Sequence, residues 1–275
     1  VLDSITTFGD ARGVSYPGGK NGAGVYQTII NRMPPHSVYI EPFLGGGAIL
    51  RLKQPAALNI GIDLDAAAIA RMREWAREVL HAKTGDTGSR RPITPKTAIR
   101  DRQFQFHVAD GIAFLKSYPF TGSELVYCDP PYMMETRTRS LYRHEMTDLQ
   151  HGQLLRVLKG LQCRVMLSGY FSKLYSLDLA SWNLTRFEAM TRGGHTATEF
   201  LWFNFPAPVA LHDYSYLGGN FRERERIKRK KLRWVKRLER MPALEKRCLL
   251  EAIGSLAESG DSAGVIAAGG DGRRR

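Results

Sequence analysis

The segment Val38-Tyr39-Ile40-Glu41-Pro42-Phe43-Leu44-Gly45-Gly46-Gly47 runs from an apolar stretch into three consecutive glycines, and Ala48-Ile49-Leu50-Arg51-Leu52-Lys53 follows. Residues 38–43 carry the β-branched and aromatic content of a buried strand. Residues 44–47 supply a tight turn, because glycine lets the backbone bend sharply with no side chain in the way. Residues 48–53 then open a helix. Strand, glycine turn and helix in this order begin a nucleotide-type α/β unit.

The pattern extends in both directions. Upstream, Ser15-Tyr16-Pro17-Gly18-Gly19-Lys20 is a turn-rich block leading into a helical spacing through Val25, Ile29 and Ile30, which Pro34-Pro35 ends. Downstream, strands are expected at 58–63, 104–108, 124–128, 164–167, 182–189 and 198–205, the last two separated by Arg192-Gly193-Gly194. Asp65 caps a helix whose buried face is Ala68, Ile69, Met72, Trp75 and Val79. A short helix covers 111–116, and Thr147 caps one carrying Leu149, Leu154, Leu155, Leu158 and Leu161. Residues 81–102, rich in Thr, Gly, Pro, Ser and Arg, read as a surface insertion, and residues 133–146 show no clear period. Short strands alternating with amphipathic helices predict one mostly parallel sheet covered on both faces, with ligands at the carboxyl ends of its strands. Gly45, Gly46, Gly47, Asp63, Asp110, Asp129 to Tyr132 and Ser168 all fall on that edge.

Each of these blocks has a structural reading beside a chemical one. The glycines are either a bare turn or a close approach to a ligand. Asp63 follows its strand at the spacing of an acid that accepts from ribose hydroxyls, or it caps a helix, a role Asp65 can fill instead. Asp110 either meets an adenine ring or caps the helix opening at Gly111. The sharp signal is Asp129-Pro130-Pro131-Tyr132. Two prolines pre-set an extended backbone and remove two donors, so the carbonyls and the Asp129 carboxylate present acceptors in fixed directions. An adenine amino group, whose lone pair is delocalised into the ring, needs two such acceptors to become nucleophilic. Tyr132 then offers a flat face for an extruded base.

With these residues in place, the chain resembles the Dam-like class of adenine-specific DNA methyltransferases, which carry the Asp-Pro-Pro-Tyr motif. The matches run in the family's order: Tyr16-Pro-Gly-Gly-Lys20, Tyr39-Ile-Glu-Pro-Phe-Leu-Gly-Gly-Gly47, Ile62-Asp63 and Val126-Tyr-Cys-Asp-Pro-Pro-Tyr132. Val165-Met-Leu-Ser168 and Glu199-Phe-Leu201 follow more weakly. Together they span about residues 15–205. The resemblance implies a class I S-adenosylmethionine-dependent methyltransferase fold, Rossmann-like, with a mostly parallel seven-stranded sheet ending in an antiparallel hairpin. It implies direct methyl transfer to adenine N6 in flipped bases of duplex DNA, with S-adenosyl-L-homocysteine as product and no metal. It also implies that Tyr16, Lys20, Asp63 and Asp129 contact the cofactor, that the 41–47 loop (Glu41, Phe43, Gly45, Gly47) wraps its methionine end, and that Asp110 lies near its adenine.

The chain departs from the family in one respect. Only 18 residues separate Asp110 from Asp129, and the 81–102 insertion is small, so a sizeable target-recognition insertion is missing. Sequence recognition is expected instead from the 133–146 loop, with Arg137, Arg139, Tyr142 and Arg143, or from the basic segment beyond Phe221. Related Pro-Pro turns serve enzymes acting on cytosine N4, RNA adenine or a glutamine amide, and a non-catalytic DNA-binding relative is a further alternative. Asp rather than Ser or Asn at 129, together with Tyr-Pro-Gly-Gly-Lys, favours adenine in DNA, and the intact quartet with Lys20 argues against loss of catalysis.

Charge points to the same kind of partner. Of a formal net charge of +13 in 275 residues, 11 basic minus 3 acidic residues place +8 between Asn220 and Arg240. Ile227, Trp234, Leu238 and Met241 recur at helical spacing there, and Pro242 suits the first turn of a second helix through Leu249, Leu250 and Ile253. The expected result is a helical hairpin with an apolar stripe buried on the catalytic domain or in a homodimer. Its basic face, through Lys228, Arg229, Lys230 and Lys231, is either a DNA-phosphate grip or a solvated surface. The expected organisation is therefore a catalytic domain at 1–209, a basic helical extension at 210–258 and a disordered tail at 259–275, rich in Gly, Ala and Ser. No apolar run approaches the roughly 18 residues of a membrane span, and residues 1–8 lack the basic leader and apolar stretch of a secretory signal. Cys128, Cys163 and Cys248 form no metal-ligand or disulfide spacing and read as reduced residues of a cytoplasmic protein.

Overall fold

A computed structural model describes residues 19–22, 24–81, 102–133, 144–190 and 196–266. Tyr16, nearly all of the 81–102 insertion, Arg137, Arg139, Tyr142, Arg143, the Arg192-Gly193-Gly194 turn and residues 267–275 lie outside them. The elements run α1 (Val25–Ile30), β1 (Val38–Glu41), α2 (Ala48–Leu52), β2 (Leu58–Asp63), α3 (Ala66–His81), β3 (Gln103–Val108), α4 (Gly111–Ser117) and β4 (Glu124–Cys128). There follow α5 (Asp148–Gly160), β5 (Arg164–Gly169), α6 (Lys173–Asp178), β6 (Asn183–Met190), β7 (Thr196–Phe203), α7 (Phe221–Glu239) and α8 (Ala243–Ile266).

The strands form one seven-stranded sheet in the order β3-β2-β1-β4-β5-β7-β6. The pairs β1·β2, β2·β3, β1·β4 and β4·β5 are parallel, whereas β7 is antiparallel to both β5 and β6. Five parallel strands with the last strand inserted backwards between β5 and β6 define the class I methyltransferase fold, including the terminal antiparallel hairpin. Side chains alternate between the two faces with the strand period of two. Tyr39, Leu125, Tyr127, Met166, Leu201 and Phe203 pack under α1, α2 and α3. Ile40, Ile60, Val126, Cys128, Val165, Leu167 and Trp202 pack under α4, α5 and α6. Being covered on both faces, β4 is buried at all five positions.

Several boundaries differ from the sequence expectation, each for an identifiable reason. Strand β1 stops at Glu41 rather than Phe43 because Pro42 has no N–H for the ladder. Leu149 is 78% exposed although α5 forms as expected under a Thr147–Gln150 capping box. At about 100° per residue it sits on the opposite side of the helix from buried Leu158. The short helix α6, capped by Ser172 accepting from Tyr175 N at 3.1 Å, carries too few turns to show a period in sequence.

The chain divides into units of residues 1–217 and 218–275, later than the expected 209/210 boundary. Residues 212–216 are tied to the first unit. His212 N donates to Met33 O (2.9 Å), the Asp213 carboxylate accepts from Gln54 N (2.9 Å), and Tyr216 OH donates to Leu52 O (3.1 Å). In the second unit, Asn220 caps α7 by accepting from Glu223 N at 2.9 Å. Within the single chain the apolar stripe stays open to solvent. No α7 residue is buried, and Leu250 and Ile253 of α8 are about half exposed. Helix α8 continues to Ile266, into the stretch assigned to a disordered tail. The isolated glycines there each cost only about 1 kcal/mol relative to alanine and do not break a helix by themselves.

Candidate active site

The carboxyl ends of β1, β2, β3, β4 and β5 gather the expected polar blocks on one edge. After β1, Gly45 (φ 50°) and Gly47 (φ 60°) adopt left-handed backbone that only glycine takes without strain. A Cβ on Gly47 would meet the Met72 side chain at 2.7 Å. The turn folds over Asp63 at the end of β2, whose carboxylate accepts from Gly45 N (2.7 Å) and Asp65 N (2.8 Å). Asp65 takes the capping role, accepting from Ala67 N at 2.9 Å, so Asp63 serves the turn rather than the helix. After β3, Asp110 caps α4 by accepting from Ala113 N at 2.7 Å. Gly111 lies so close to the turn that a Cβ there would sit 2.2 Å from the Pro42 carbonyl oxygen. The glycine turn, Asp63 and the α4 amino terminus thus make a tight backbone cradle flanked by two carboxylates. Those are the groups a nucleoside with ribose hydroxyls and a flat base requires, so these residues fit an S-adenosylmethionine-type group.

Glu41 is turned inward. It is buried, its Oε2 accepts from Tyr39 OH at 2.9 Å, and burial followed by the nearby Asp129 charge pushes it up to about 8. Phe43 is half-buried beside it.

Asp129 stands at the end of β4, its side chain 17% exposed. Its Oδ1 accepts from Lys20 Nζ (2.8 Å) and from Ser168 Oγ (2.9 Å). Because Ser168 donates to Asp129, the 2.9 Å contact between Tyr127 OH and Ser168 Oγ has the tyrosine as donor. Burial, with Asp129 adding to it, pushes the Tyr127 phenol far up and keeps it a neutral donor. Both contacts fall on Oδ1, which fixes the carboxylate plane and directs Oδ2 elsewhere. Pro130 and Pro131 continue from it in a stretch with no N–H.

Lys20 is 3% exposed, just ahead of α1, and three groups surround its ammonium: Asp129, Glu199 Oε2 on β7 (3.3 Å) and the Tyr132 hydroxyl. Burial alone would lower its pKa, but Asp129 and then Glu199 outweigh that and raise it, holding the ammonium charged. In this arrangement Lys20 donates to the Asp129 carboxylate and to the Tyr132 hydroxyl, so it orients Asp129 directly.

Tyr132 also departs from expectation. It is 6% exposed, its ring lies against Tyr170 (centroids 4.5 Å apart), and its hydroxyl meets Lys20. A buried ammonium demands acceptors, and that demand draws the tyrosine inward instead of leaving an open stacking face. Tyr132→Phe is therefore expected to cost about tenfold in kcat, the scale of one hydrogen bond to a charged group. A purely stacking tyrosine would tolerate Phe, so a Phe variant at wild-type rate would restore the stacking role.

Sequence reading assigned no role to Tyr127 or Tyr170, placed Ser168 on the ligand edge without a partner, and met Glu199 only within a weak motif match. The available signals were a hydroxyl amid the β4 core run, a serine closing β5, and a lone acid heading the apolar run Phe200 to Phe203. Cys128 is fully buried and burial pushes its thiol well up, which suits a core residue and not a nucleophile. Among the described residues no cluster of three or more His, Cys, Asp or Glu could hold a metal ion, and no helix is long and apolar enough to cross a membrane.

No family model matches the chain, and no curated protein sequence matches it significantly. Among solved structures it is similar to an rRNA methylase from Streptococcus thermophilus (9% identity, TM-score 0.40, covering 70% of this chain and 98% of that one). It is likewise similar to magnesium protoporphyrin IX methyltransferase from Synechocystis PCC 6803 with bound SAM (14%, 0.40, 66% and 76%) and to a dimethyladenosine transferase from Plasmodium falciparum (10%, 0.40, 66% and 61%). At these scores the strand order, not the likenesses, defines the fold.

Proposed function

We propose that this chain is an S-adenosylmethionine-dependent methyltransferase acting on the N6 amino group of adenine in duplex DNA. The observation that supports this most is the Asp129 carboxylate, anchored through Oδ1 by Lys20 and Ser168 and followed by two prolines. The 41–47 turn, Asp63 and Asp110 would hold the cofactor, which when bound supplies a methyl group on a sulfonium centre. Asp129 Oδ2 accepts from one amino hydrogen and a carbonyl of the Asp129-Pro130-Pro131 stretch from the other. Withdrawing both hydrogens from the ring plane frees the nitrogen lone pair for in-line attack. Tyr170, half-buried, and Phe171, 55% exposed after β5, add aromatic surface at the same edge, which suits a flat extruded base. Tritium-labelled methyl transfer onto duplex DNA, RNA and a glutamine-containing peptide tests the reading. Incorporation into duplex DNA alone is expected, and incorporation into only RNA or peptide would overturn the substrate assignment.

Helix α7 supports the DNA assignment. Lys228, Arg229, Lys230 and Lys231 are all exposed, and among the described residues only Lys228 has a close acidic neighbour, Glu225 at 3.7 Å. Exposed pairs of this kind contribute little and leave the charges available to phosphates. Changing all four to Glu is expected to weaken DNA binding and to flatten its log-log salt dependence by about 0.9 for each phosphate no longer neutralised. An unchanged slope and affinity would mark α7 as a solvated surface. The exposed apolar positions Trp234, Leu250 and Ile253 suit a homodimer, which sedimentation at micromolar concentration tests.

A further inference from the structure

The site carries a second buried acid that the Asp-Pro-Pro-Tyr motif does not include. Antiparallel insertion of β7 brings its early residues to the carboxyl edge of β5, where Gly169 pairs with Phe200. Glu199, one residue earlier, is 7% exposed and lies 3.3 Å from the Lys20 ammonium. Lys20, Asp129, Tyr132 and Tyr170 are the charged and titratable groups around it, while its cross-strand partner, Phe187 on β6, is apolar. One ammonium therefore stands between two carboxylates.

That count matters for the chemistry. If Lys20 faced Asp129 alone, the pair would be neutral, and a carboxylate cancelled by an ammonium is a poor acceptor for an amino group. A second carboxylate beside Lys20 leaves the set net negative. During transfer the S–CH3 bond breaks with its electron pair going to sulfur, and the adenine nitrogen lone pair forms the new N–CH3 bond. Positive charge thereby moves from sulfur to nitrogen, and one N–H proton then passes to Asp129 Oδ2 and on to water. A net negative set beside the nitrogen favours that displacement of charge.

We propose that Glu199 is a positioning residue of the transfer site, which acts through Lys20 to keep Asp129 an effective acceptor. This rests on the reading of the site as one of methyl transfer to an amino group. Such a role carries a cost in stability. Burial, and then the Asp129 charge, raises the Glu199 carboxyl above its ordinary value of 4.5 despite Lys20, so folding is penalised at pH values where Glu199 is ionised. Removing the charge should then stabilise the fold at pH 8, and the gain should fade as the pH drops toward 4.5, where wild-type Glu199 takes up its proton.

The experiment compares wild type and Glu199→Gln in tritium-methyl transfer to genomic duplex DNA, in thermal unfolding between pH 5 and 8, and in calorimetry with S-adenosylhomocysteine. The variant is expected to lose about tenfold in kcat, to keep S-adenosylhomocysteine affinity within about twofold, and to melt higher than wild type at pH 8, with a smaller gain at pH 5. An active wild type with an equally active variant overturns the role of Glu199 alone. So does a lower Tm in the variant, which would make Glu199 a structural partner of Lys20. A wild type that methylates no DNA overturns the functional reading first, and the role of Glu199 with it.

Discussion

Asp129→Ala is expected to lower kcat for methyl transfer by about 10³-fold while the fold survives. The loss is large because the carboxylate acts on the reacting nitrogen itself. Without it the amino hydrogens meet only the carbonyl of the Pro-Pro stretch, and the lone pair stays in the ring. The fold survives because the position is at a strand end and partly exposed, and because Lys20 keeps Glu199 as a one-to-one partner. Asp129→Asn separates charge from shape, since its amide oxygen can still accept from Lys20 and Ser168. A drop of at least about a hundredfold in the Asn variant, with Tm near wild type, would locate the effect in the charge. Activity of the Ala variant within about tenfold of wild type would contradict the assigned role.

Lys20→Met is expected to be the most destabilising single change at the site. It leaves two carboxylates, Asp129 and Glu199, close together without their shared cation, and removing one partner of a buried ion pair costs about 3–5 kcal/mol. For a domain of this size that is roughly 6–20 °C in Tm. The pH dependence follows from the directions of the shifts. Lys20 is raised above its ordinary 10.5, so its stabilising contribution is fully present at neutral pH and is lost only at alkaline pH. On the acid side the deficit of the variant shrinks as Glu199, raised above 4.5, binds a proton and removes one of the two charges. Thermal melts across pH 5 to 8 check this, and a deficit that grows toward pH 5 would contradict it. Activity should fall as well, because Asp129 loses the donor that fixes its plane.

The parts of this site that sequence made legible share a physical character. Gly45 and Gly47 were readable because a left-handed turn needs glycine, and Asp65 because a cap must precede its helix. Asp129 to Tyr132 was readable because two prolines beside an acid have few purely structural uses. The sheet followed from short apolar runs alternating with amphipathic helices, even where Pro42 shortened β1 by two residues. The partnerships across the edge were not legible. The Lys20–Asp129 contact spans 109 positions in the chain, and nothing in the local pattern at Glu199 or Ser168 states which residue they face. Tyr132 shows the same limit. Its aromatic ring suggested stacking, whereas the need of a buried ammonium for acceptors turned its hydroxyl inward. In the second unit, the spacing of Ile227, Trp234 and Leu238 located a helix but not what covers its apolar side, because periodicity reports a face and not its partner.

The most direct test of the central claim is to incubate the purified full chain with S-adenosylmethionine and unmethylated duplex DNA, digest the DNA to nucleosides and identify the methylated base by mass spectrometry. N6-methyladenine as the dominant product, absent with Asp129→Ala, is the predicted result. N4-methylcytosine in its place, or no methylated nucleoside from a folded protein that binds S-adenosylhomocysteine, would contradict the account.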